Sequence, residues 1–371
     1  MSEGVDLLDF KILESLGKYG PRNINRVARK LDIHPETLRK RINHLTSQFS
    51  LAFHANVYHT NLGLKKAVVV AEAILGYEEL LFKCLMTNDF WLYVSPCYAG
   101  VECCFAIYAI PTNYSAEFEQ FLHQLEKVGV ARNVQLHWST CWHTVNPTLV
   151  WLDDQNKTWS FYWDEWVEEV KTEGTRLPYT LKDPKDFPQK AADYTDVFIL
   201  KEFDKDATIS LSKIAKMLGL TRATVSYHYR EHVLKHGLIE TSQVWFPRFD
   251  KAVSNFFIFI FRFNDEQKMA RFASSLLDKP FVHSLGKIIG ENIMFAHIYL
   301  PKSGLLGFKE RLSKLIRSGL LQTYSYLIED FEKRLKQTIS YEFFKDGSWA
   351  YDHNRHVQKL QDLVEVTKQE R

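Results

Sequence analysis

Much that would identify a chemistry is missing from these 371 residues. There are five cysteines, an odd number, with no Cys-x-x-Cys pair, a pattern of reduced thiols rather than a disulfide framework. Cys97, Cys103, Cys104 and Cys141 could be grouped with His143 as a metal cluster, although strand cysteines more often serve as small buried hydrophobes. The most apolar runs, "AVVVAEAIL" and "FFIFIFRF", are far too short to span a bilayer. "MSEGVDLLDF" has neither a basic n-region nor an apolar h-region, so no secretory signal is expected and the expected compartment is cytoplasmic. A net charge of +2 sets up no global field, so any basic surface must be local. No glycine-rich phosphate loop, nucleophile elbow or metalloprotease helix occurs. The expectation is therefore of a chain that is not an enzyme, with no catalytic residue, cofactor or metal.

What is present is a duplication. Shifted by 187 positions, Asp6 falls on Asp193, Asp9 on Asp196, and Ile12-Leu13 on Ile199-Leu200. Ala28, Leu31 and Thr37 then fall on Ala215, Leu218 and Thr224. At an offset of 190, "GVECCFAIYAIP" lies on "GENIMFAHIYLP", and "TWSFYWD" echoes "SWAYDH". Three colinear matches at nearly constant spacing make the chain two copies of one unit.

Within each unit the hydrophobic period changes. Ile12, Leu13 and Leu16, then Ile24, Val27, Ala28 and Leu31, then Leu38, Ile42 and Leu45, give three short helices an apolar face. Unit two substitutes like for like with Leu211, Ile214, Ala215 and Leu218, then Val225 and Tyr229. The tight turns Asp32-Ile33-His34 and Gly219-Leu220-Thr221 force a large angle between helices two and three, so helix three protrudes. A wing is expected over 49–60 and 238–246. Each unit then reads β-α-β-β-α-β, which gives a ferredoxin-like sheet with both helices on one face. The fold class is α+β, two repeats of a winged helix-turn-helix followed by a ferredoxin-like βαββαβ domain. The expected boundaries are 1–62 and 63–146 for unit one, 192–250 and 251–338 for unit two. Between them, 147–191 holds an acidic helix carrying Trp163, Trp166, Val167 and Val170, followed by an extended linker with Pro178, Pro184 and Pro188. A tail with a helix occupies 339–371.

Helix three leaves Glu36, Arg39, Lys40 and Asn43 outside. From Arg22 to Leu45 there are seven Lys/Arg against two acids, and from Lys213 to His236 five against one. Concentrated positive charge on a protruding helix suits double-stranded DNA. Arg and Asn can pair bidentately with base edges, and Thr37, Ser226 and Tyr227 can bond phosphates or bases. The candidate DNA-binding residues are Arg22, Glu36, Thr37, Arg39, Lys40, Asn43, Arg222, Thr224, Ser226, Tyr227 and Arg230. A charge run is more commonly a solvated face; the tight turn, the duplication and the local charge contrast favour DNA.

The Asp6/Asp9 opening, Ile12-Leu13, Ala28, Leu31, Pro35 and the Leu38-Arg39-Lys40-Arg41-Ile42 core resemble the N-terminal winged helix-turn-helix of the leucine-responsive (Lrp/AsnC) regulators. The sheet units resemble that family's effector and oligomerisation domain, with Gly100 and Gly290 where it carries a glycine between the middle strands. The resemblance implies a sequence-specific DNA-binding transcriptional regulator, nucleoid-associated and dimeric, with an amino-acid-like effector whose candidate residues are Gly100 and Gly290. Here the two non-identical heads sit on one chain, which makes an intramolecular pseudo-dimer the first expectation and a homodimer the second. Unit one departs from the pattern in having Asp32 where Gly219 stands, His34 where Thr221 stands, and "QFSL" where unit two has "HGLI".

Other clusters have bland readings. His228, His232 and His236 share a helical stripe; with no neighbouring carboxylate or thiol to complete a ligand set they read as surface histidines near phosphate rather than metal ligands. His353 and His356 read as solvated, and the tryptophans of "TWSFYWDEW" as anchors rather than a ligand cage. One alternative is an enzyme similar to the sirohaem decarboxylases, which share this architecture and hold a tetrapyrrole in the sheet domain. For that role His137, His143 and His297 lie on predicted strands, but arginine is scarce there. A further alternative is a ligand sensor or scaffold with vestigial heads, which would show acidic or apolar outward faces on helix three.

Overall fold

The computed structural model describes residues 5–153, 158–172, 174, 176–190 and 192–369. Head one comprises α1 (Leu7–Tyr19), α2 (Ile24–Leu31), α3 (Pro35–Phe49) and β1 (Ala52–Val57). Asp6 and Asp9 form a reciprocal capping box at the start of α1. Asp32 ends α2 with φ of 52°, the left-handed turn that frees α3 to leave at a steep angle. Sheet unit one follows as β2 (Leu64–Ala73), α4 (Glu78–Leu85), β3 (Trp91–Tyr98), β4 (Glu102–Pro111), α5 (Ser115–Lys127) and β5 (Ala131–Ser139). The connecting segment contains β6 (His143–Thr144), β7 (Leu152–Asp153), β8 (Thr158–Trp159) and α6 (Trp163–Thr172).

Head two repeats the plan with α7 (Tyr194–Lys205), α8 (Leu211–Leu218), α9 (Arg222–Tyr227) and β9 (Ile239–Trp245). Asp193 and Asp196 rebuild the capping box, and Gly219 takes the left-handed turn. α9 does not stay α-helical: His228–Leu234 forms a π-helix. Sheet unit two is β10 (Ser254–Arg262), α10 (Glu266–Leu276), β11 (Val282–Lys287), β12 (Ile293–Pro301), α11 (Lys302–Arg317) and β13 (Thr323–Glu329). The tail adds β14 (Leu335–Lys336), β15 (Phe344–Lys345), β16 (Ser348–Trp349) and α12 (His353–Gln369). Among the described residues, no helix is long and apolar enough to cross a membrane.

The two sheet units pair within the chain. Their strands run β5-β2-β4-β3-β13-β10-β12-β11 as one sheet, joined where Cys97 and Tyr98 meet Glu329 and Ile328. The far ends also meet: Ser139 bridges Ile288, and the Thr140 amide donates to the Lys287 carbonyl at 2.8 Å. The sheet thus curls into a barrel. Strand alternation sorts its residues. Val69 and Ala71 of β2 face the core under α4 and α5, while Val68 and Val70 face an interior shared with Phe105, Ile258, Phe295 and Leu327.

The wings expected over 49–60 and 238–246 each contribute a strand. β1 and β9 pair antiparallel with each other, Ala52 against Trp245 through Val57 against Ile239, so each head gives one strand to a shared ribbon. The arms after each unit cross over. α6, which follows unit one, packs on α10 and α11 of unit two, where the Trp166 indole donates to Ser275 Oγ at 3.0 Å. α12, which follows unit two, packs on α4 and α5 of unit one, and His356 there is buried beside Asp89 rather than solvated. Trp163, Trp166, Val167 and Val170 are the buried face of α6.

Candidate functional site between the wing ribbon and the barrel

The shared ribbon lies across one mouth of the barrel and encloses a cavity of about 260 Å³. β1 supplies His54, Asn56 and Val57, and β9 supplies Gln243 and Trp245. The barrel supplies Lys66 from β2, Tyr93 from β3, His283 and Ser284 from β11, His297 from β12 and Glu329 from β13. Trp142 closes one wall; its indole lies 2.7 Å from where a Cβ on Gly286 would sit, so β11 can carry only glycine there without displacing the ring. Arg334 and Lys336 reach in from the tail. The Arg334 guanidinium lies 3.3 Å from the Phe331 ring centroid and 5.1 Å from that of Trp245, a cation–π arrangement that holds it at the cavity. His54, Asp204, Lys336 and Gln337 also line an adjoining depression of about 410 Å³, so the cavity has an open side.

The electrostatics favour an anionic guest. Burial raises the pKa of both acids in the lining, Asp204 and Glu329, and so favours their neutral forms. Glu329 accepts a hydrogen bond from the Tyr93 hydroxyl. Lys66, Arg334 and Lys336 outnumber these acids in the lining, and Lys336 Nζ lies 3.7 Å from Asp204 Oδ1. Burial pushes the His297 imidazole down to about 3, helped by Arg334, and pushes His59 and His283 well below their ordinary value. Burial thus favours the neutral rings; His283 Nε2 already meets the Gln243 amide at 3.1 Å, whereas His59 and His297 keep nitrogens without a partner. Both ring nitrogens of His59, Nε2 of His297, Nε1 of Trp142 and Oε2 of Glu329 are buried without a hydrogen-bond partner among the described residues. Buried polar groups rarely go unpaired, and this many around one cavity mark a place where a polar ligand completes the bonding.

Of the three strand histidines singled out from the sequence, only His297 lines this cavity. His143 bonds Thr180 Oγ1 at 3.0 Å, and His137 packs on Phe295 elsewhere in the barrel. His54, His59, His283, Lys66, Arg334 and Lys336 were not recognised in the sequence. Gly100 and Gly290 sit at exposed hairpin tips with φ of 82° and 77°, away from the cavity, and the Gly290 amide is bonded to Asp183. All five cysteines are buried free thiols, and among the described residues they form no metal-ligand cluster.

On head one, Glu36, Thr37, Arg39, Lys40 and Asn43 are all exposed along α3, with Arg39 3.6 Å from Glu36. Arg22 is exposed, and its guanidinium donates to the Ile209 carbonyl at 2.7 Å and lies over Phe203 and Tyr229, tying head one to head two. On head two, Arg222, Tyr227 and Arg230 are exposed, Ser226 is half-buried, and Thr224 is half-buried against Thr221 in the helix cap.

A family model described as winged helix-turn-helix DNA-binding matches residues 193–231, which is head two. No curated protein sequence matches the chain. Among solved structures, the siroheme decarboxylase NirDL aligns with 97% of this chain and 99% of its own, at 11% identity and a TM-score of 0.55. The same protein in co-complex with an iron-uroporphyrin III analogue aligns over the same shares at 12% identity and a TM-score of 0.51. B. subtilis LrpC aligns with 36% of this chain and 93% of its own, at 20% identity and a TM-score of 0.28. The two NirDL likenesses show the fold over 97% of the chain. They also correct the expectation of a non-enzyme, because the architecture matched from end to end is that of an enzyme.

Proposed function

We propose that the cavity under the wing ribbon binds an anionic, ring-shaped tetrapyrrole and removes carboxylate from it. The observation that carries this reading is the cluster of unpaired buried imidazole, indole and carboxyl atoms facing a cavity biased positive by Lys66, Arg334 and Lys336. Cations suit peripheral carboxylates, aromatic walls suit a flat macrocycle, and a neutral imidazole suits a central iron. A cavity of about 260 Å³ is smaller than a whole macrocycle, so the ligand would extend through the open side into the depression lined by Lys336 and Gln337. Loss of CO2 breaks a carbon–carbon bond and leaves a carbon that must take up a proton; the Tyr93–Glu329 pair, whose carboxyl burial favours in its protonated form, is placed to supply it. The likeness to a decarboxylase crystallised with an iron-uroporphyrin III analogue supports the choice of ligand.

The test is an anaerobic titration of the full chain with iron-uroporphyrin III, followed by its absorption bands. Stoichiometric binding is expected, weakened roughly tenfold to a hundredfold in Arg334→Ala, since a charge-assisted hydrogen bond contributes about 1.5–3 kcal/mol. Absence of any spectral change in the intact protein sinks the reading.

A second reading, a transcriptional regulator with two unlike DNA-binding heads, has its own observation: Arg39, Lys40 and Asn43 project together from α3. Selection from random duplexes should enrich an asymmetric motif. Arg39→Ala/Lys40→Ala should lose the motif and lower the salt slope by about one per phosphate contact removed. Equal binding by the variant would dismiss this second role.

A further inference from the structure

The capping boxes of the two heads are built alike and neutralised differently. In head one, Arg41 Nη1 reaches Asp6 Oδ2 and Asp9 Oδ1, both at 2.8 Å. A shift of 187 positions puts His228 in the place of Arg41 and His232 in the place of Leu45. In head two, His228 Nδ1 lies 2.9 Å from Asp196 Oδ1 and 3.6 Å from Asp193 Oδ2, and His232 Nδ1 lies 2.9 Å from Asp196 Oδ2. Asp196 is fully buried, and its recorded ion-pair partners are these two histidines rather than a lysine or arginine. The carboxylates that complete the set come from the start of α7.

We infer that Asp193, Asp196, His228 and His232 form a divalent transition-metal site, suited to Zn2+, which stands in for the guanidinium of head one. The four ligand atoms lie within 4.8 Å of one another. Tetrahedral zinc with bonds of about 2.0–2.2 Å places its ligand atoms roughly 3.3 Å apart, so small adjustments close the site. The capping bonds use Asp193 Oδ1 and Asp196 Oδ2, and Asp193 Oδ2 accepts no capping bond. The backbone supplies an independent sign. α3 of head one is α-helical through Phe49, whereas the helix of head two turns π-helical at His228 and stays so to Leu234. π-helical turns are rare and concentrate at functional sites, and this one spans both histidines. An ion here ties the third helix of head two to α7, as Arg41 ties α3 to α1.

The test compares the full chain with His228→Arg/His232→Leu, which restores the arrangement of head one and so has a folded precedent in the same molecule. Metal-free protein is titrated with Co2+ and Zn2+. One Co2+ per chain with visible d–d bands, displaced by Zn2+, and a zinc-dependent rise in Tm are expected for the native chain. Both should be absent from the double variant. Asp193→Asn, an exposed change that spares the fold, should weaken Co2+ binding by more than about tenfold. No d–d bands in the native chain, or bands that persist in the double variant because the cavity histidines bind the ion, overturn the assignment.

Discussion

The two heads share their framework and differ in what they hold and what they show. Both open on a capping box and turn through a left-handed residue, Asp32 or Gly219. Head one clamps its box with a permanent cation and presents Arg39, Lys40 and Asn43 to solvent. Head two uses two histidines and presents Met217, Leu220, Tyr227 and Leu234 beside Arg222 and Arg230. A duplicated unit can keep every position that fixes backbone geometry and still diverge where side chains face a partner. The arms repeat the lesson: at the 190-residue offset Trp166 matches His356, and both are buried against the opposite unit.

The arms give the largest effect. Trp166→Ala removes a fully buried indole from the core between α6, α10 and α11, and should destabilise the chain by about 3–5 kcal/mol in urea unfolding. His356→Ala removes a smaller ring and leaves Asp89 paired with Lys359, so a loss of about 1–3 kcal/mol is expected. Equal losses would mean that the arms contribute by holding the units together rather than through the ring each buries.

The wing strands sharpen the comparison next. At the 187-residue offset Phe53 of β1 matches Glu240 of β9. Burial pushes the Glu240 carboxyl up to about 7, opposed only in part by Lys66. The folded chain therefore holds this proton more tightly than the unfolded chain. That makes stability fall as pH rises from the ordinary glutamate value toward 7, with the full cost present above it. Glu240→Gln should be neutral near pH 4 and stabilising by on the order of 2–3 kcal/mol at pH 8. A pH-independent difference in denaturant midpoint would show that the carboxyl is solvated.

How far the sequence carries this far is set by what periodicity records. Apolar spacing reports that a face is buried, so three helices, the βαββαβ order and the inward face of α6 were legible. It does not report which copy does the covering. The pairing of β1 with β9 and the crossing of α6 and α12 depend on the two units meeting in space. The cavity was hidden for the same reason, because it draws His54, Lys66, His283, His297 and Arg334 from both units and the tail. The head-two cluster was closer to hand: the 187-residue shift that matched Asp6 with Asp193 also sets Arg41 on His228.

The two hairpin glycines make the smallest and most symmetrical comparison. Gly100 and Gly290 adopt φ of 82° and 77°, and a Cβ built on either meets nothing within 4 Å. Substitution by alanine should therefore cost only the left-handed backbone, about 1–2 kcal/mol each. The costs should be alike, and titration with iron-uroporphyrin III should be unchanged, since neither glycine lines the cavity. A drop in ligand binding with Gly290→Ala alone would break the symmetry. It would move the ligand site toward the hairpin where Asp183 accepts from the Gly290 amide, and away from the barrel mouth.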